Sequence, residues 1–126
     1  MTWLRREQGG IPSFLRWRNL PDDDFTPFFN TSSPTFADFQ LYIRTLLTRN
    51  NTITGVPWNA DPVIAVWETG NELGGWHGDS KPPIEWTTAI SAYIRSLAPN
   101  QLIMDGMSAS VWRECLLTVY RDVWTE

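Results

Sequence analysis

Asn71 and Glu72 stand side by side in Gly70-Asn71-Glu72-Leu73-Gly74-Gly75-Trp76-His77-Gly78, a loop-like segment that also holds Trp76 and His77. Glycines at 70, 74 and 75 let the backbone turn tightly and let a bulky ligand approach. On spacing alone Glu72 fits two readings, a ligand-facing carboxylate and a solvated loop carboxylate. Trp76 has a flat apolar face suited to stacking on another ring, although a tryptophan serves equally well as core. Glu68 competes for the ligand-facing role. Alternation puts it on the face opposite Trp67 and Thr69, inside the strand predicted below, where a hydrogen-bonded buried partner is the expected role. His77 is the only histidine, so the several nitrogen or sulfur ligands of a zinc site cannot be gathered. No G-x-S-x-G occurs to present a serine nucleophile. The glycines at 74 to 78 lack the Lys and Ser/Thr of a phosphate-binding loop.

The elements around this segment are legible from periodicity. Residues 1–34 are rich in Gly, Pro and Asp, and they read as an irregular loop with one short helical turn within 11–20. Ser33 can cap a helix, and Pro34 suits its first position, where a missing N–H costs nothing. Phe36, Phe39, Ile43, Leu46 and Leu47 then recur on one helical face, predicting a helix to about Asn50. Asp61-Pro62 initiates the apolar, β-branched run Val63 to Trp67, the pattern of a strand covered on both faces in a parallel sheet. The Asn71-Glu72 loop follows its carboxyl end, where α/β folds bind ligands.

Beyond Pro82-Pro83, a second amphipathic stripe runs through Trp86, Ala89, Ile90, Tyr93, Ile94 and Leu97 and stops near Pro99. Gln101 to Met104 reads as another short buried strand. Strand, loop, helix and strand make a βαβ unit, which implies parallel pairing with a right-handed crossover. A third stripe, Val111, Cys115, Leu116, Val119 and Val123, predicts a helix from Ser110 to Trp124.

Composition narrows the function further. The 126 residues are 42% hydrophobic and 19% charged, with eight Trp, which is globular and long enough for one domain with a core. A formal net charge of −4 with dispersed arginines gives no basic patch for nucleic acid. Cys115 stands alone, so neither an internal disulfide nor a thiolate metal site is expected. No apolar run approaches the ~18 residues of a membrane span, so no membrane partner is expected. The first residues lack the apolar core of a secretory leader. Two sequons, Asn30-Thr31-Ser32 and Asn50-Asn51-Thr52, are glycosylatable if the chain is exported.

The run Asp61-Pro62-Val63-Ile64-Ala65-Val66-Trp67-Glu68-Thr69-Gly70-Asn71-Glu72-Leu73 resembles the fourth-strand motif of glycoside hydrolase family five, whose mannanase-like members end that strand in Trp-Glu-x-x-Asn-Glu. Trp67, Glu68, Asn71 and Glu72 match it position by position. Gly9-Gly10-Ile11-Pro12 with Trp17 and Asp22 to Phe25 is similar to the loop after the family's third strand. The stretch from Asn51 to Pro57 resembles its approach to strand four, and Leu97 to Gly106 its strand five.

The resemblance covers about residues 9–106, leaving 107–126 as a divergent tail. It implies an α/β fragment of a (β/α)8 barrel, from the loop after strand three to strand five, as one partial domain. It further implies Glu72 as general acid/base and Asn71 as a hydrogen-bond partner of the sugar 2-hydroxyl. Trp76 and His77 would line the site, with no cofactor and a β-mannan-like polysaccharide as substrate. A retaining glycosidase needs a second carboxylate about 5–5.5 Å from the acid. The family places that nucleophile at the end of strand seven, and Glu114 and Glu126 fit no such motif. The family is usually extracellular. The sequence therefore leaves three readings: a β-mannanase-type hydrolase by ancestry with this chain inactive alone, a silent remnant that binds sugar weakly, and an α/β interaction module.

Overall fold

The computed structural model describes residues 10–74 and 81–107. The third predicted helix, Trp76 and His77 lie outside the described residues. The elements run α1 (Ile11–Trp17), α2 (Thr26–Phe29), α3 (Pro34–Leu47), a 3-10 turn (Trp58–Ala60), β1 (Val66–Glu68), α4 (Ile84–Leu97) and β2 (Leu102–Met104).

Helix α3 starts as its sequence dictates. The Ser33 hydroxyl accepts from the Phe36 N–H at 3.1 Å, and Pro34 occupies the first turn. Its end comes at Leu47 rather than about Asn50. Arg49 and Asn51 have already turned back to pair with the approach to β1: Trp58 N–H donates to the Arg49 carbonyl (3.0 Å) and Asn51 N–H to that of Val56 (2.8 Å). Asn51 Oδ1 accepts from the Ile53 and Thr54 amides, and Gly55 takes φ +74°, which closes the turn.

The helical turn expected within 11–20 is α1, but the stretch around it, read as an irregular loop, is instead part of the core. Ile11, Phe14 and Leu15 of α1 are buried, as are Phe25 and, from α2, Phe28 and Phe29. They surround an aromatic cluster in which Phe28 lies 5.5 Å from Phe14, 5.1 Å from Phe39 and 5.7 Å from Trp86, centroid to centroid. Phe39 of α3 stacks on Trp86 of α4 at 5.8 Å and 10°. Glycines and prolines masked two short i, i+3, i+4 patterns, 11/14/15 and 25/28/29, each too brief to stand without tertiary packing.

Strands β1 and β2 pair in parallel, as expected for a βαβ unit, in the register Val66↔Leu102, Trp67↔Ile103, Glu68↔Met104. The first strand is shorter than its apolar run. Asp61 Oδ1 accepts from Val63 N–H (3.0 Å) and the Asp61 carbonyl from Ile64 N–H (3.1 Å), so the turn begun at Asp61-Pro62 consumes Val63. The expectation of cover on both faces also needs correction. Trp67 and Ile103 pack against the helical layer, whereas Val66, Leu102 and Met104 are exposed at 41%, 68% and 40%. The helices lie on one side, and the other face, which a closed barrel turns inward, meets no layer among the described residues.

The amino ends of the strands are pinned by Gln101, which is buried. Its Nε2 donates to the carbonyls of Trp58 (2.9 Å) and Asp61 (3.1 Å), and its Oε1 accepts from the Trp67 indole. Asn59 Nδ2 donates to the Leu97 carbonyl at 2.8 Å, joining the end of α4 to the same edge.

Candidate active site

The loop after β1 returns to lie against the loop after β2, and two glycines set their separation. At Gly106, φ is +63°, and a Cβ built there falls 1.9 Å from the Gly70 carbonyl oxygen. At Gly70 a Cβ would meet Leu73 Cδ1 at 2.6 Å. No side chain fits either place, so the two backbones touch directly. Thr69 extends the ladder, its N–H donating to the Met104 carbonyl at 3.0 Å and its hydroxyl to the Asp105 carbonyl. Leu73 then bridges to Met107, its N–H donating to the Gly106 carbonyl at 3.3 Å, with its side chain fully buried.

Asn71 and Glu72 are suspended between these two anchors, at Gly70 and at Leu73. Asn71 is half-buried and Glu72 exposed. Glu72 also carries φ +51°, in the left-handed region that non-glycine residues rarely occupy. A conformation of that kind costs about 1–2 kcal/mol and persists where its surroundings over-determine it. The buried Leu73 and the glycine contact supply that constraint. The structure thus puts position 72 past the carboxyl end of a parallel strand, on a loop held at both sides.

Glu68 departs from its expected role. It is the last residue of β1 and is exposed, because its face of the sheet is uncovered. It borders a cavity of about 500 Å³ between α3 and β1, lined also by Phe39, Ile43, Leu46, Trp67 and Ile94. Neither Asn71 nor Glu72 lines that cavity. Among the described residues no group of three or more His, Cys, Asp or Glu could hold a metal ion, and no helix is long and apolar enough to cross a membrane.

Sequence reasoning missed Gly106, Thr69 and Gln101 as the residues that fix the loop and its strand. A sequence signal existed only for Gly106, at the carboxyl end of the second predicted strand, symmetrical with Gly70 at the end of the first.

Comparison with known proteins agrees with this architecture. A family model described as GH family 5 beta-mannosidase-like matches residues 1–126. Mannan endo-1,4-beta-mannosidase 4 of Oryza sativa subsp. japonica is 32% identical over 105 residues, covering 79% of this chain and 22% of the relative. Mannan endo-1,4-beta-mannosidase 1 of Arabidopsis thaliana is 29% identical over 102 residues, 80% of this chain and 24% of the relative. The chain therefore spans about a quarter of the length of the curated relatives it matches. Among solved structures, the endo-beta-1,4-mannanase from Thermotoga petrophila superposes with a TM-score of 0.68 at 29% identity, over 82% of this chain and 22% of that one. A glycoside hydrolase family 5 mannosidase from Rhizomucor miehei gives 0.67 at 25% identity, over 86% and 29%. These neighbours are (β/α)8 barrels, and the present chain shares their mixed α/β organisation over the matched part. The chain belongs to the mannosidase-like branch of glycoside hydrolase family 5.

Proposed function

We propose that this chain carries the proton-donating half of a retaining β-mannanase active site, within one partial barrel domain that runs from the loop after strand three to strand five. The observation that carries this is the placement of Glu72 in the constrained loop beyond the carboxyl end of β1, with Asn71 beside it. Ligands of α/β barrels bind at that end. In the proposed reaction Glu72 protonates the leaving glycosidic oxygen, then withdraws a proton from the water that releases the sugar. Asn71 holds the 2-hydroxyl, a contact that strengthens as positive charge builds at the anomeric carbon. Trp76 and His77, four and five residues after Glu72 in the sequence, are assigned to the substrate-binding surface.

The nucleophilic carboxylate is assigned to a part of the barrel other than residues 10–107. For the 126-residue chain alone the expectation is no mannan hydrolysis. A polysaccharide substrate also implies an extracellular setting.

The test is a graft. Residues 10–107 replace the superposing segment of the Thermotoga petrophila mannanase, and the chimera is assayed on β-1,4-mannan. The expected result is hydrolysis that Glu72→Gln abolishes while Glu68→Gln retains most of it. A folded chimera whose activity survives Glu72→Gln refutes the assignment.

A further inference from the structure

We propose that Asn50 is an N-glycan acceptor, displayed at the end of the fold opposite Glu72. Asn50-Asn51-Thr52 satisfies the acceptor pattern, with no proline at the middle position. A glycan is attached before folding is complete, so the folded chain must leave the acceptor in solvent. Asn50 and Thr52 are both exposed, as are Ile53, Thr54 and Gly55. The Asn50 main chain is held in a bridge to Pro57, yet its side chain makes no hydrogen bond among the described residues. Its neighbour Asn51 differs, because Asn51 Oδ1 already accepts from the amides of Ile53 and Thr54. The turn is therefore built by Asn51, and Asn50 is free to be modified without disturbing it.

Two further observations favour this turn. Ile53, three residues on, is 92% exposed, more than any other large apolar side chain among the described residues. A sugar core on Asn50 would shield it. The turn also sits at the amino ends of the strands: Trp58 N–H donates to the Arg49 carbonyl, and Gln101, just before β2, donates to that of Trp58. The candidate active site lies at the carboxyl ends, so a glycan on Asn50 stays clear of it.

The transfer uses a lipid-linked oligosaccharide diphosphate as donor. The bond from the anomeric carbon to the phosphate oxygen breaks, and a bond from that carbon to Asn50 Nδ2 forms. The electron pair of the broken bond leaves with the lipid diphosphate, which departs and takes up the proton that Nδ2 gives up. The inference rests on the extracellular setting of the proposed reading and does not depend on catalysis.

The experiment expresses the full chain behind a cleavable secretion leader in a eukaryotic host. Medium and membrane fractions are both read by intact mass before and after treatment with a peptide N-glycosidase. The expected result is a glycosidase-sensitive mass on the parent chain, with one glycan fewer in both Asn50→Gln and Thr52→Ala. Absence of any such mass on the parent chain, or an unchanged glycan count in both variants, overturns the proposal.

Discussion

Replacing Gly106 with alanine tests the contact that fixes the loop carrying Glu72, and a second glycine supplies the control. Gly55 and Gly106 both have positive φ, at +74° and +63°. A Cβ at Gly55 meets nothing within 4 Å, whereas one at Gly106 falls 1.9 Å from the Gly70 carbonyl oxygen. Gly55→Ala should therefore cost only the left-handed backbone penalty, about 1–2 kcal/mol. Gly106→Ala adds an overlap with backbone that cannot rotate away, and overpacking costs about 1–3 kcal/mol more. The sum for Gly106→Ala is about 2–5 kcal/mol, a large share of the ~5–15 kcal/mol that stabilises a typical domain. Denaturant unfolding followed by Trp fluorescence reads both variants in the same chain. Equal losses in the two variants would refute the argument, because the loops would then not be in the contact described. In the grafted chimera, Gly106→Ala should also lower activity more than Gly55→Ala does, since only the former displaces the loop that carries Glu72.

Three further outcomes follow from the same geometry. Glu72→Gly relieves φ +51° and should raise stability by up to about 1 kcal/mol in denaturant unfolding, while Glu72→Gln, which keeps the strain, leaves it unchanged. Gln101→Leu removes three hydrogen bonds and strips the Trp67 indole of its acceptor, while the carbonyls of Trp58 and Asp61 keep the amides of Asp61 and Ile64, for an expected loss of about 1–3 kcal/mol by the same assay. Asp38 receives two hydrogen bonds from Arg18, at 2.7 and 2.6 Å, which hold its carboxyl below the usual carboxylate range. Its contribution is therefore full above the unfolded value near pH ~4 and fades as pH falls through the lower folded value. Asp38→Asn should flatten the acid side of the stability profile below pH ~5 without steepening it elsewhere.

The two long helices and the parallel strand pair were legible in the sequence because each carries its own periodicity and punctuation. Ser33-Pro34 opens α3, and the stripe from Trp86 to Leu97 can bury only one face. Of the N-terminal third, only the short helix within 11–20 was legible. Ile11, Phe14 and Leu15 make barely two turns of helix, and α2 is a single turn. Segments that short form only once Phe39 and Trp86 supply a surface. The length of β1 was overestimated because Val63 has strand chemistry but belongs to the Asp61 turn. The position of Glu72 beyond a parallel strand was readable from glycine placement. Its left-handed backbone and the Gly70–Gly106 contact were not, since both arise between segments 36 residues apart in the chain. Glu68 was misjudged for the same reason: its burial depended on a layer over the second sheet face, which alternation alone does not reveal.

Leaving-group dependence in the grafted chimera probes the assignment of Glu72 as proton donor most directly. Glu72→Ala is assayed on β-1,4-mannan, whose leaving sugar needs a proton, and on a dinitrophenyl mannobioside, whose leaving phenolate does not. A proton donor contributes about 10²–10⁴-fold to the step it serves. The account predicts a loss of that size for formation of the glycosyl-enzyme on mannan and little loss for the same step on the activated substrate. Equal losses on both substrates would contradict it and leave Glu72 as a loop carboxylate that only supports binding.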